Sequence, residues 1–391
     1  MMRAQIDNRR SDERAPLVVQ IVRQYTPSRG GLEDVVANLS RSLLAKGWRV
    51  RVVTLDRLFR DPDNTLSPRD IIDGVDVVRI PWRGSSRYPI APSVFSHVRD
   101  ADLVHVHGID FFYDALAWTR VLHGKPLVAT THGGFFHTHN HALLKKIWFQ
   151  TATRLSGLAY DAVICCSQSD RDRFLPITGS RTRLIENGVD IGKFAGLSST
   201  VPVRRLVTIG RFSVNKRLER LLDMLVQLRS SVPDWRLDII GSPSDLSSRD
   251  LEREIATRRL GGAVSLHVGV TDDEVRKVLG ECSVFVSASD YEGFGLVAVE
   301  AMSAGLLPVL HDNAAYRVLA DRHAGIGLTD FAHPQVAAAK VEQAFAMLLD
   351  KPAMREEMML AASQHDWGGV CDRHIDLYRH ILSGRRSGRA G

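Results

Sequence analysis

The sequence predicts an α/β protein made of two doubly wound domains, each with a parallel sheet between helices. Short apolar runs rich in valine, isoleucine and leucine alternate with helical patterns in both halves of the chain. The runs are continuous, which is typical of parallel strands buried on both faces. A length of 391 residues also favours two domains. Because ligands of such sheets bind beyond the carboxyl ends of the strands, we expect a site in a cleft between two facing, Rossmann-like domains.

The N-terminal domain is expected to span residues 16–195, after a polar and disordered segment at 1–15. Its first helix is predicted to follow Gly30 and Gly31, because apolar residues then recur with helical spacing up to Gly47. The predicted strands of this domain are Leu17–Gln24, Arg49–Leu55, Val75–Pro81, Asp102–Gly108, Leu127–Gly133 and Ala162–Ser167.

The small and polar stretch GLSSTVPV predicts a linker, and a second domain is expected at 196–365. Its predicted strands are RLVTIGR, WRLDIIG, AVSLHVG, CSVFVSAS and GLLPVLH. A C-terminal helix at 366–384 is predicted to pack back on the N-terminal domain, and a basic tail follows at 385–391. Strand and helix alternate in this half as in the first, which is why both domains are predicted to be doubly wound.

Composition and charge limit the function without naming it. Hydrophobic residues make up 44% of the chain and charged residues 25%, as in globular proteins. The net charge of +6 suits an anionic partner such as a nucleotide, a nucleic acid or an acidic membrane face. The four cysteines form no CxxC pair, which disfavours a disulfide framework and a structural zinc site. A polar N-terminus and no long apolar run predict a cytoplasmic protein, soluble or peripheral to a membrane.

The strongest motif is DYEGFGLVAVEAMSAG, Asp290–Gly305, which follows a predicted strand and leads into a helix. Glycines at 293 and 295 permit a tight turn. Such a turn brings three backbone N–H groups toward a ligand, those of Phe294, Gly295 and Leu296. A helix N-terminus carries unpaired donors and partial positive charge, so this turn predicts a phosphate-binding site.

Two carboxylates flank this turn. Glu292 precedes the helix and Glu300 lies inside it, about 12 Å further along at 1.5 Å per residue. This separation suits hydroxyls at the two ends of a sugar nucleotide. Taken alone, either glutamate is explained as well by the helix dipole or by a solvated helix face.

Cations and glycines follow the first predicted strand of each domain. In GRFSVNK, Arg211 and Lys216 stand just beyond the strand, where they are predicted to bind a diphosphate. The alternative is that both are solvated surface cations, as most such residues are. At the equivalent place in the first domain, Gly31 opens a helix and is a weaker donor-site candidate, since a Gly-Gly pair is also an ordinary turn.

Together these motifs resemble those of the retaining GT-B glycosyltransferases. That family carries two glutamates separated by seven residues in its C-terminal domain, matched here by Glu292 and Glu300. The resemblance includes the N-terminal GG loop, THGG, NGVD and the Arg/Lys pair, and it extends over nearly the whole chain. The strings HGIDFFYD, GSSRYPIAPS and HGGFFHT resemble a narrower group, the α-mannosyltransferases that use GDP-mannose and cellobiosyl-diphosphopolyprenol in xanthan- or acetan-type exopolysaccharide assembly.

The resemblance implies roles for single residues. Glu292 is expected to contact the donor sugar and Glu300 the ribose, while Arg211 and Lys216 bind the diphosphate. His132 is expected to face the transferred sugar, and we take it with Glu292 as the catalytic pair. No metal or other cofactor is expected. The implied partners are the nucleotide sugar GDP-mannose and a polyprenyl-diphosphate-linked oligosaccharide, and no nucleic acid. Mannose and guanine follow from the resemblance alone.

Histidines cluster in THGGFFHTHNH, Thr131–His141. His132 ends a predicted strand at its carboxyl edge, where it would hydrogen-bond a sugar hydroxyl or stabilise positive charge at the anomeric carbon. The alternating histidines 137, 139 and 141 could share one face, as some zinc ligands do. Phenylalanines intervene and no carboxylate or thiol lies nearby, so we expect no metal site. His105 is predicted to be a core residue.

The acceptor is expected to stack on aromatic residues of HGIDFFYD and WRGSSRYPIAP. The candidate acceptor-binding residues are His107, Asp110, Phe111, Tyr113, Arg87 and Tyr88.

A membrane contact is predicted for the segment HALLKKIWFQTATRLSGL, His141–Leu158. Its apolar helical face is bordered by basic residues, as in helices that lie at membrane interfaces. The candidate residues are Lys145, Lys146 and Trp148, and the partner is the inner face of the cytoplasmic membrane. Packing of the same apolar face on the protein's own sheet explains the pattern equally well.

The expected reaction proceeds with retention of configuration through a front-face displacement, in which a leaving phosphate oxygen takes the acceptor's proton. The main alternative is an NAD-dependent oxidoreductase, since GFGLVA fits the dinucleotide pattern G-x-G-x-x-A and Asp312 follows at a suitable distance. A non-catalytic nucleotide-binding protein and a glycosyltransferase with another sugar nucleotide are further alternatives.

Overall fold

The computed structural model describes residues 14–28, 30–133 and 148–387, with side chains as far as residue 384. The chain divides into two compact units. Unit 1 comprises Met1–Ile185 and Cys371–Gly391, and unit 2 comprises Glu186–Val370. Of the predicted terminal segments, residues 1–13 and the tail beyond the last helix lie outside the described residues.

Unit 1 is built on a mostly parallel sheet with eight strands among the described residues. The strands are β1 Leu17–Ile21, β2 Arg49–Leu55, β5 Arg69–Ile72, β6 Val75–Ile80, β9 Leu103–His107, β10 Leu127–Thr130, β11 Ala162–Cys165 and β12 Thr182–Leu184. Their order is β12-β11-β10-β9-β1-β2-β6-β5, and β5 alone of these runs antiparallel. The central strand β1 is buried along its whole length, as its continuous apolar run predicts.

The described part of unit 1 also contains two antiparallel hairpins that the sequence pattern does not predict. They are β3 Arg57–Leu58 with β4 Asp61–Thr65, and β7 Arg83–Ser85 with β8 Tyr88–Ile90. Their strands are short and mostly exposed, so they lack the apolar runs that mark the core strands. The described helices of unit 1 are α1 Gly31–Ala45, α2 Val94–His97, α3 Phe111–Trp118, α4 Arg120–His123, α5 Arg154–Gly157 and α6 Gln168–Thr178, with a π-helix at Phe149–Thr153 before α5.

Unit 2 contains a parallel sheet with six strands among the described residues, in the order β15-β14-β13-β16-β17-β18. The strands are β13 Arg205–Ile209, β14 Arg236–Gly241, β15 Val264–Val268, β16 Val284–Ser287, β17 Leu307–His311 and β18 Gly327–Thr329. The helices are α7 Leu218–Ser231, α8 Ser248–Thr257, α9 Asp272–Leu279, α10 Leu296–Ser303, α11 Ala314–Arg322, α12 Pro334–Asp350, α13 Met354–Ser363 and α14 Trp367–Ser387, the last of which continues into unit 1.

The division between the units falls at Ile185 and Glu186, earlier than the predicted boundary at 195. The segment after Glu186 belongs to unit 2 because its backbone and side chains bond there. The N–H of Val189 donates to the carbonyl of His365 at 2.8 Å, and Phe194 is 3% exposed within the core of unit 2. The small, polar stretch after Gly196 looked like a linker in the sequence, although the change of unit precedes it.

The last helix joins unit 1 from Cys371 onward, in the region where 366–384 was predicted to pack on the N-terminal domain. Lys46 at the end of α1 lies 2.7 Å from the carboxylate of Asp372. Tyr378 is fully buried, its hydroxyl lies 2.6 Å from Nδ1 of His105, and its ring packs edge-on against Trp48. The C-terminal helix therefore supplies part of the core of unit 1.

Strands β13 and β14 approach closely where they leave the sheet of unit 2. A Cβ on Gly241 would overlap the carbonyl oxygen of Gly210, and a Cβ on Gly210 would lie 2.9 Å from Cε of Lys216. Glycine is required at 241, where the added carbon would meet backbone, whereas at Gly210 it would meet the end of the flexible Lys216 side chain, which packs against this glycine. This close approach fixes the loop that carries Arg211 and Lys216.

Gly241→Ala is expected to lower the free energy of unfolding of unit 2 by about 1–3 kcal/mol, because the added carbon meets a backbone oxygen that cannot rotate away. Urea unfolding followed by circular dichroism measures the change. Gly262→Ala is the matched control, since nothing lies within 4 Å of its added carbon. Equal stability of the two variants would contradict the close approach of β13 and β14.

Candidate active site

The carboxyl edge of the sheet in unit 2 holds an ion pair between Lys216 and Glu292. Nζ of Lys216 lies 2.7 Å from Oε1 of Glu292, and both side chains are largely shielded from solvent. Beneath them, the hydroxyl of Tyr316 lies 3.3 Å from the same oxygen and 2.9 Å from Oγ of Ser287. Burial, and after it the neighbouring carboxylate, raises the pKa of Tyr316 well above its ordinary value, so its hydroxyl stays protonated and donates.

Gly295 is required where helix α10 begins. Its φ is +86°, in the left-handed region, and a Cβ there would lie 2.9 Å from the ring of Tyr316. The tyrosine thus packs directly under the turn that the sequence motif predicts. Among the described residues, none accepts a hydrogen bond from the backbone N–H groups of Phe294, Gly295 or Leu296. This turn therefore offers donors and a helix N-terminus to an anion, as the sequence predicts.

A second set of ion pairs, which no sequence motif indicates, connects the same two loops. Arg217, with φ of +48°, places Nε 2.5 Å from Asp290, and Arg220 lies 2.8 Å from the other oxygen of that carboxylate. The N–H of Asp290 donates to the carbonyl of Asn215 at 3.0 Å. These contacts keep the loop of Lys216 beside the loop of Glu292. Arginine and aspartate are common on protein surfaces, so the sequence alone does not show that these residues pair; their proximity in the fold does.

The remaining donor candidates are placed around this pair in different ways. Arg211 is exposed and makes no ion pair with a residue in the described ranges, so its cation is available to a ligand. Glu300 is half-buried within α10. The ring of Phe294 packs edge-on against His365 at 5.5 Å. In unit 1, α1 begins at Gly31, where an added Cβ would meet nothing within 4 Å, so that glycine is not sterically required.

The dinucleotide pattern GFGLVA does not have the geometry of a nicotinamide site. Strand β16 ends at Ser287 and helix α10 begins at Leu296, so a loop separates them where that fingerprint has a direct turn. Asp312, the acid that follows this pattern, accepts hydrogen bonds from Nε and Nη2 of Arg317 on its two oxygens. The hydrogen bonds from Arg317 lower the pKa of Asp312, as expected for a surface carboxylate in an ion pair.

The carboxyl edge of the sheet in unit 1 holds a chain of hydrogen-bonded side chains that ends at His132. Nδ1 of His107 lies 2.9 Å from Nε2 of His132, and Nε2 of His107 lies 2.6 Å from Oε1 of Gln20. On its other side, Nδ1 of His132 lies 3.8 Å from Sγ of Cys166. His132 itself adopts a left-handed backbone with φ of +51°, which an ordinary residue accepts only where surrounding contacts fix it.

The chain has a consistent assignment of protons. In the orientation of Gln20 found here, its amide oxygen accepts from Nε2–H of His107. A neutral His107 then accepts at Nδ1 from Nε2–H of His132, whose Nδ1 accepts from the thiol of Cys166. Burial, with a further contribution from His374, lowers the pKa of His132 to about 3, and burial also lowers that of His107 well below its ordinary value. Both imidazoles are therefore neutral at physiological pH.

Two acceptor candidates are buried and cannot contact a substrate. His107 is 1% exposed and uses both ring nitrogens, so it positions His132 instead of binding an acceptor. Tyr113 is completely buried, where its ring stacks on Tyr160 at 4.5 Å. Both predictions were wrong because a histidine in a buried strand and a tyrosine on the inner face of a helix look like site residues in the sequence. His105 is a core residue, as predicted, bonded to Tyr378 and to Thr130.

Asp110 is buried and caps helix α3. Its carboxylate accepts from the N–H of Phe112 at 2.9 Å and lies 3.1 Å from Nε of Arg23. Burial raises the pKa of Asp110 to about 6, although Arg23 opposes the shift. Arg23 also donates to the carbonyl of Ser86 at 3.3 Å, so it connects Asp110 to the β7–β8 hairpin. Asp110 therefore orders this loop, and direct contact with an acceptor is not open to its buried carboxylate.

Three aromatic residues form a partly exposed cluster at the start of α3. The ring of Tyr88 packs edge-on against Phe111 at 6.0 Å and against Trp148 at 6.3 Å. The hydroxyl of Tyr88 lies 2.9 Å from Asp114, which fixes the hairpin on the helix. Arg87, on the same hairpin, is exposed. Of the predicted acceptor residues, Tyr88, Phe111 and Arg87 are thus the ones that present surface.

The predictions for residues 134–147, which include Lys145, Lys146 and the histidines at 137, 139 and 141, lie outside the described residues. No helix in the described ranges is both long and apolar enough to cross a bilayer. Trp148 begins the described part of that segment and is 40% exposed.

Comparison with known sequences identifies the family. Residues 29–193 match Glycosyltransferase Family 4 and residues 199–365 match Glycosyl transferases group 1. The chain is 46% identical over 369 residues to the GDP-mannose:cellobiosyl-diphosphopolyprenol alpha-mannosyltransferase of Xanthomonas oryzae, a match that covers 93% of this chain and 97% of that relative. The protein belongs to this alpha-mannosyltransferase family. Its counterpart from Komagataeibacter xylinus is 40% identical over 93% of both chains.

Solved structures confirm the predicted GT-B fold of this alpha-mannosyltransferase family member. Sucrose-phosphate synthase from Thermosynechococcus elongatus matches with a TM-score of 0.72, covering 94% of this chain and all of that one, at 18% identity. Anabaena HepE, solved with UDP and glucose, matches with a TM-score of 0.71 over 92% of this chain and 98% of that one, also at 18% identity. The chain is a hexosyltransferase, and the NAD-dependent alternative is not favoured.

His132→Asn is expected to flatten the pH dependence of stability. The unfolded chain binds a proton at the ordinary histidine pKa near 6.5, which the folded site, with a pKa of about 3, does not bind. Stability from this group is therefore present above that ordinary pKa and lost as the pH falls, by about 2 kcal/mol between pH 7 and pH 5. Asparagine tolerates the left-handed backbone.

Urea unfolding of wild type and variant at several pH values measures the difference. His380→Gln, which removes an exposed histidine of the same unit, is the control and is expected to follow the wild type. A His132→Asn variant that loses stability as steeply as wild type on acidification would show that His132 is protonated in the folded protein.

Proposed function

We propose that this protein transfers mannose from GDP-mannose to cellobiosyl-diphosphopolyprenol, with retention of configuration and without a metal ion. The observation that carries the proposal is the 46% identity to the Xanthomonas oryzae enzyme of that name over nearly its whole length. The paired Lys216 and Glu292 beside the N-terminus of α10 agree with it, because that edge combines anion donors with a carboxylate for sugar hydroxyls.

Unit 2 is proposed to bind the donor. The diphosphate takes the backbone N–H groups at Phe294–Leu296 and the exposed guanidinium of Arg211. Lys216 is held by Glu292 before the donor arrives, so it is already oriented when a phosphate oxygen replaces or joins the carboxylate. Glu292, kept in place from below by Tyr316, then accepts hydrogen bonds from the transferred sugar, and Glu300 from the ribose.

His132 is proposed to act on the transferred sugar from unit 1. Both ring nitrogens of the neutral imidazole are engaged, with His107 and with Cys166, so the group that His132 offers to the sugar is its backbone carbonyl, and its side chain carries no positive charge. A neutral group suits a reaction in which positive charge develops at the anomeric carbon, since a cation there would oppose it. The glycosidic C–O bond to the diphosphate breaks, the acceptor hydroxyl bonds on the same face, and a phosphate oxygen takes its proton.

The acceptor is proposed to bind unit 1 through the partly exposed aromatic cluster Tyr88, Phe111 and Trp148, with Arg87 beside it. Aromatic faces and edges pack against the apolar faces of sugar rings, and the guanidinium suits a diphosphate. Because a polyprenyl acceptor resides in a membrane, the protein is proposed to work at the inner face of the cytoplasmic membrane.

Purified protein is expected to form a mannosylated product when it is given GDP-mannose and prenyl-diphosphate-linked cellobiose. Mass spectrometry of reactions with a panel of nucleotide sugars, each with and without EDTA, measures donor choice and metal dependence together. Anomeric configuration follows from NMR of the product. Transfer of another sugar from its own nucleotide in preference to mannose would overturn the donor assignment, and loss of transfer in EDTA would overturn the metal-free mechanism.

Lys216→Ala and Arg211→Ala are each expected to lower kcat by about a hundredfold, on the order of 3 kcal/mol, because each neutralises charge on the leaving diphosphate. Lys277→Ala removes an exposed cation of the same unit and serves as the control. Steady-state kinetics at saturating donor separates loss of rate from loss of binding. Wild-type turnover by both site variants would refute the diphosphate role.

A further inference from the structure

Large apolar side chains are exposed together where α3, α4 and α5 of unit 1 end. Trp118, Val121 and Leu122 follow a helical spacing of three and four residues and are 55%, 90% and 84% exposed. Leu155 and Leu158, three residues apart at α5, are 63% and 52% exposed. We call these five residues the apolar tip.

The two halves of the apolar tip belong to neighbouring elements. Arg120, at the start of α4, donates through Nη1 to the carbonyl of Ala159 just after α5, and its Nη2 lies 2.7 and 2.9 Å from the two carboxylate oxygens of Asp161. Gly157 of α5 packs so close to Tyr113 of α3 that a Cβ would lie 3.1 Å from the tyrosine hydroxyl. The inner faces of these helices are therefore tightly packed, while their outer faces leave leucine, valine and tryptophan in water.

Cations border the apolar tip. Immediately after Leu122, the residues His123, Gly124 and Lys125 line a cavity of about 790 Å³ at the amino edge of the sheet. Arg14, Lys46 and Arg379 line the same cavity.

The cations of this cavity differ in whether they are paired. Lys46 is paired with Asp372, whereas Arg14, Lys125 and Arg379 make no ion pair with a residue in the described ranges. The acid of the lining, Asp102, accepts from the N–H of Leu17 at 2.7 Å and keeps its negative charge. Because four cations share the lining with this carboxylate, the cavity carries net positive charge beside an apolar surface.

We propose that the apolar tip and this basic cavity dock the protein on a bilayer that contains anionic phospholipids. The apolar side chains enter the acyl boundary, and the cations of the cavity bind headgroup phosphates. This combination suits a membrane better than a second copy of the chain. In a two-fold symmetric dimer the same patch meets itself, so its cations would face one another.

The position of the tip agrees with a lipid-linked acceptor, and here the inference rests on the proposed function. Helix α3 runs from the aromatic cluster at Phe111 to the tip at Trp118, a rise of about 10 Å at 1.5 Å per residue. An extended disaccharide diphosphate can bridge such a length. A prenyl tail held in the bilayer at one end of α3 is thus within reach of the proposed sugar-binding residues at the other.

Flotation with vesicles tests the docking surface on the full chain. Wild type is expected to bind vesicles of phosphatidylcholine mixed equally with phosphatidylglycerol, and to bind phosphatidylcholine alone much more weakly. Val121→Ser/Leu122→Ser and Leu155→Ser/Leu158→Ser are each expected to weaken binding by about tenfold or more, since each removes two apolar groups from the bilayer. Lys125→Gln/Arg379→Gln is expected to abolish the preference for anionic vesicles.

The control is Val336→Ser/Leu360→Ser, which alters two exposed apolar residues of unit 2 and is expected to bind like wild type. Turnover of a short-prenyl, water-soluble acceptor does not need a membrane, so it tests folding and the proposed reaction independently of vesicle binding. Every tip variant is expected to retain this turnover. Absence of wild-type vesicle binding, wild-type binding by the Val121/Leu122 variant, or a solution dimer that this variant dissociates would each overturn the docking surface. Loss of soluble-acceptor turnover by the wild type itself would instead count against the reaction.

Discussion

The contact on which the proposed donor site depends is the triad of Lys216, Glu292 and Tyr316. The two loops that carry the ion pair are far apart in sequence, and in each loop a side chain of the triad packs directly over a glycine. Gly210 admits the stem of Lys216, and Gly295 admits the ring of Tyr316. In the proposed donor site a nucleotide sugar meets charges that are already oriented, so little side-chain ordering remains to oppose binding.

The other unit applies the same logic with neutral groups. In unit 1 the imidazoles of His107 and His132 are hydrogen-bonded to each other, and His107 is hydrogen-bonded to Gln20. The orientation of His132 is therefore fixed by buried side chains. In unit 2 the charges of Lys216 and Glu292 stabilise each other, whereas in unit 1 burial keeps His107 and His132 neutral. This contrast fits a transfer in which a diphosphate leaves as an anion while the sugar carbon becomes electron-poor.

Much of the fold followed from the sequence because parallel strands buried on both faces leave continuous apolar runs, as in Leu17–Ile21. Exposed hairpins such as Arg83–Ile90 leave no such mark. In the candidate site, the glycines of the motif predicted the tight turn that the structure has at Gly295, and the ligand roles of Glu292 and Glu300 stay predictions. Tyr316 and Gln20 escaped because nothing local distinguishes a tyrosine or glutamine that supports a ligand group from one that fills space, and Tyr113 was misjudged for the same reason.

The path of the chain has a practical consequence. Helix α14 leaves unit 2 and returns to unit 1, where the hydroxyl of Tyr378 is a direct partner of His105. The core of unit 1 is therefore built from segments at both ends of the chain. A fragment that stops at the end of β12 would lack Tyr378 and leave the ring of His105 without this packing partner. Fusion tags, truncations and circular permutants of this protein therefore have to preserve the packing of α14 on unit 1.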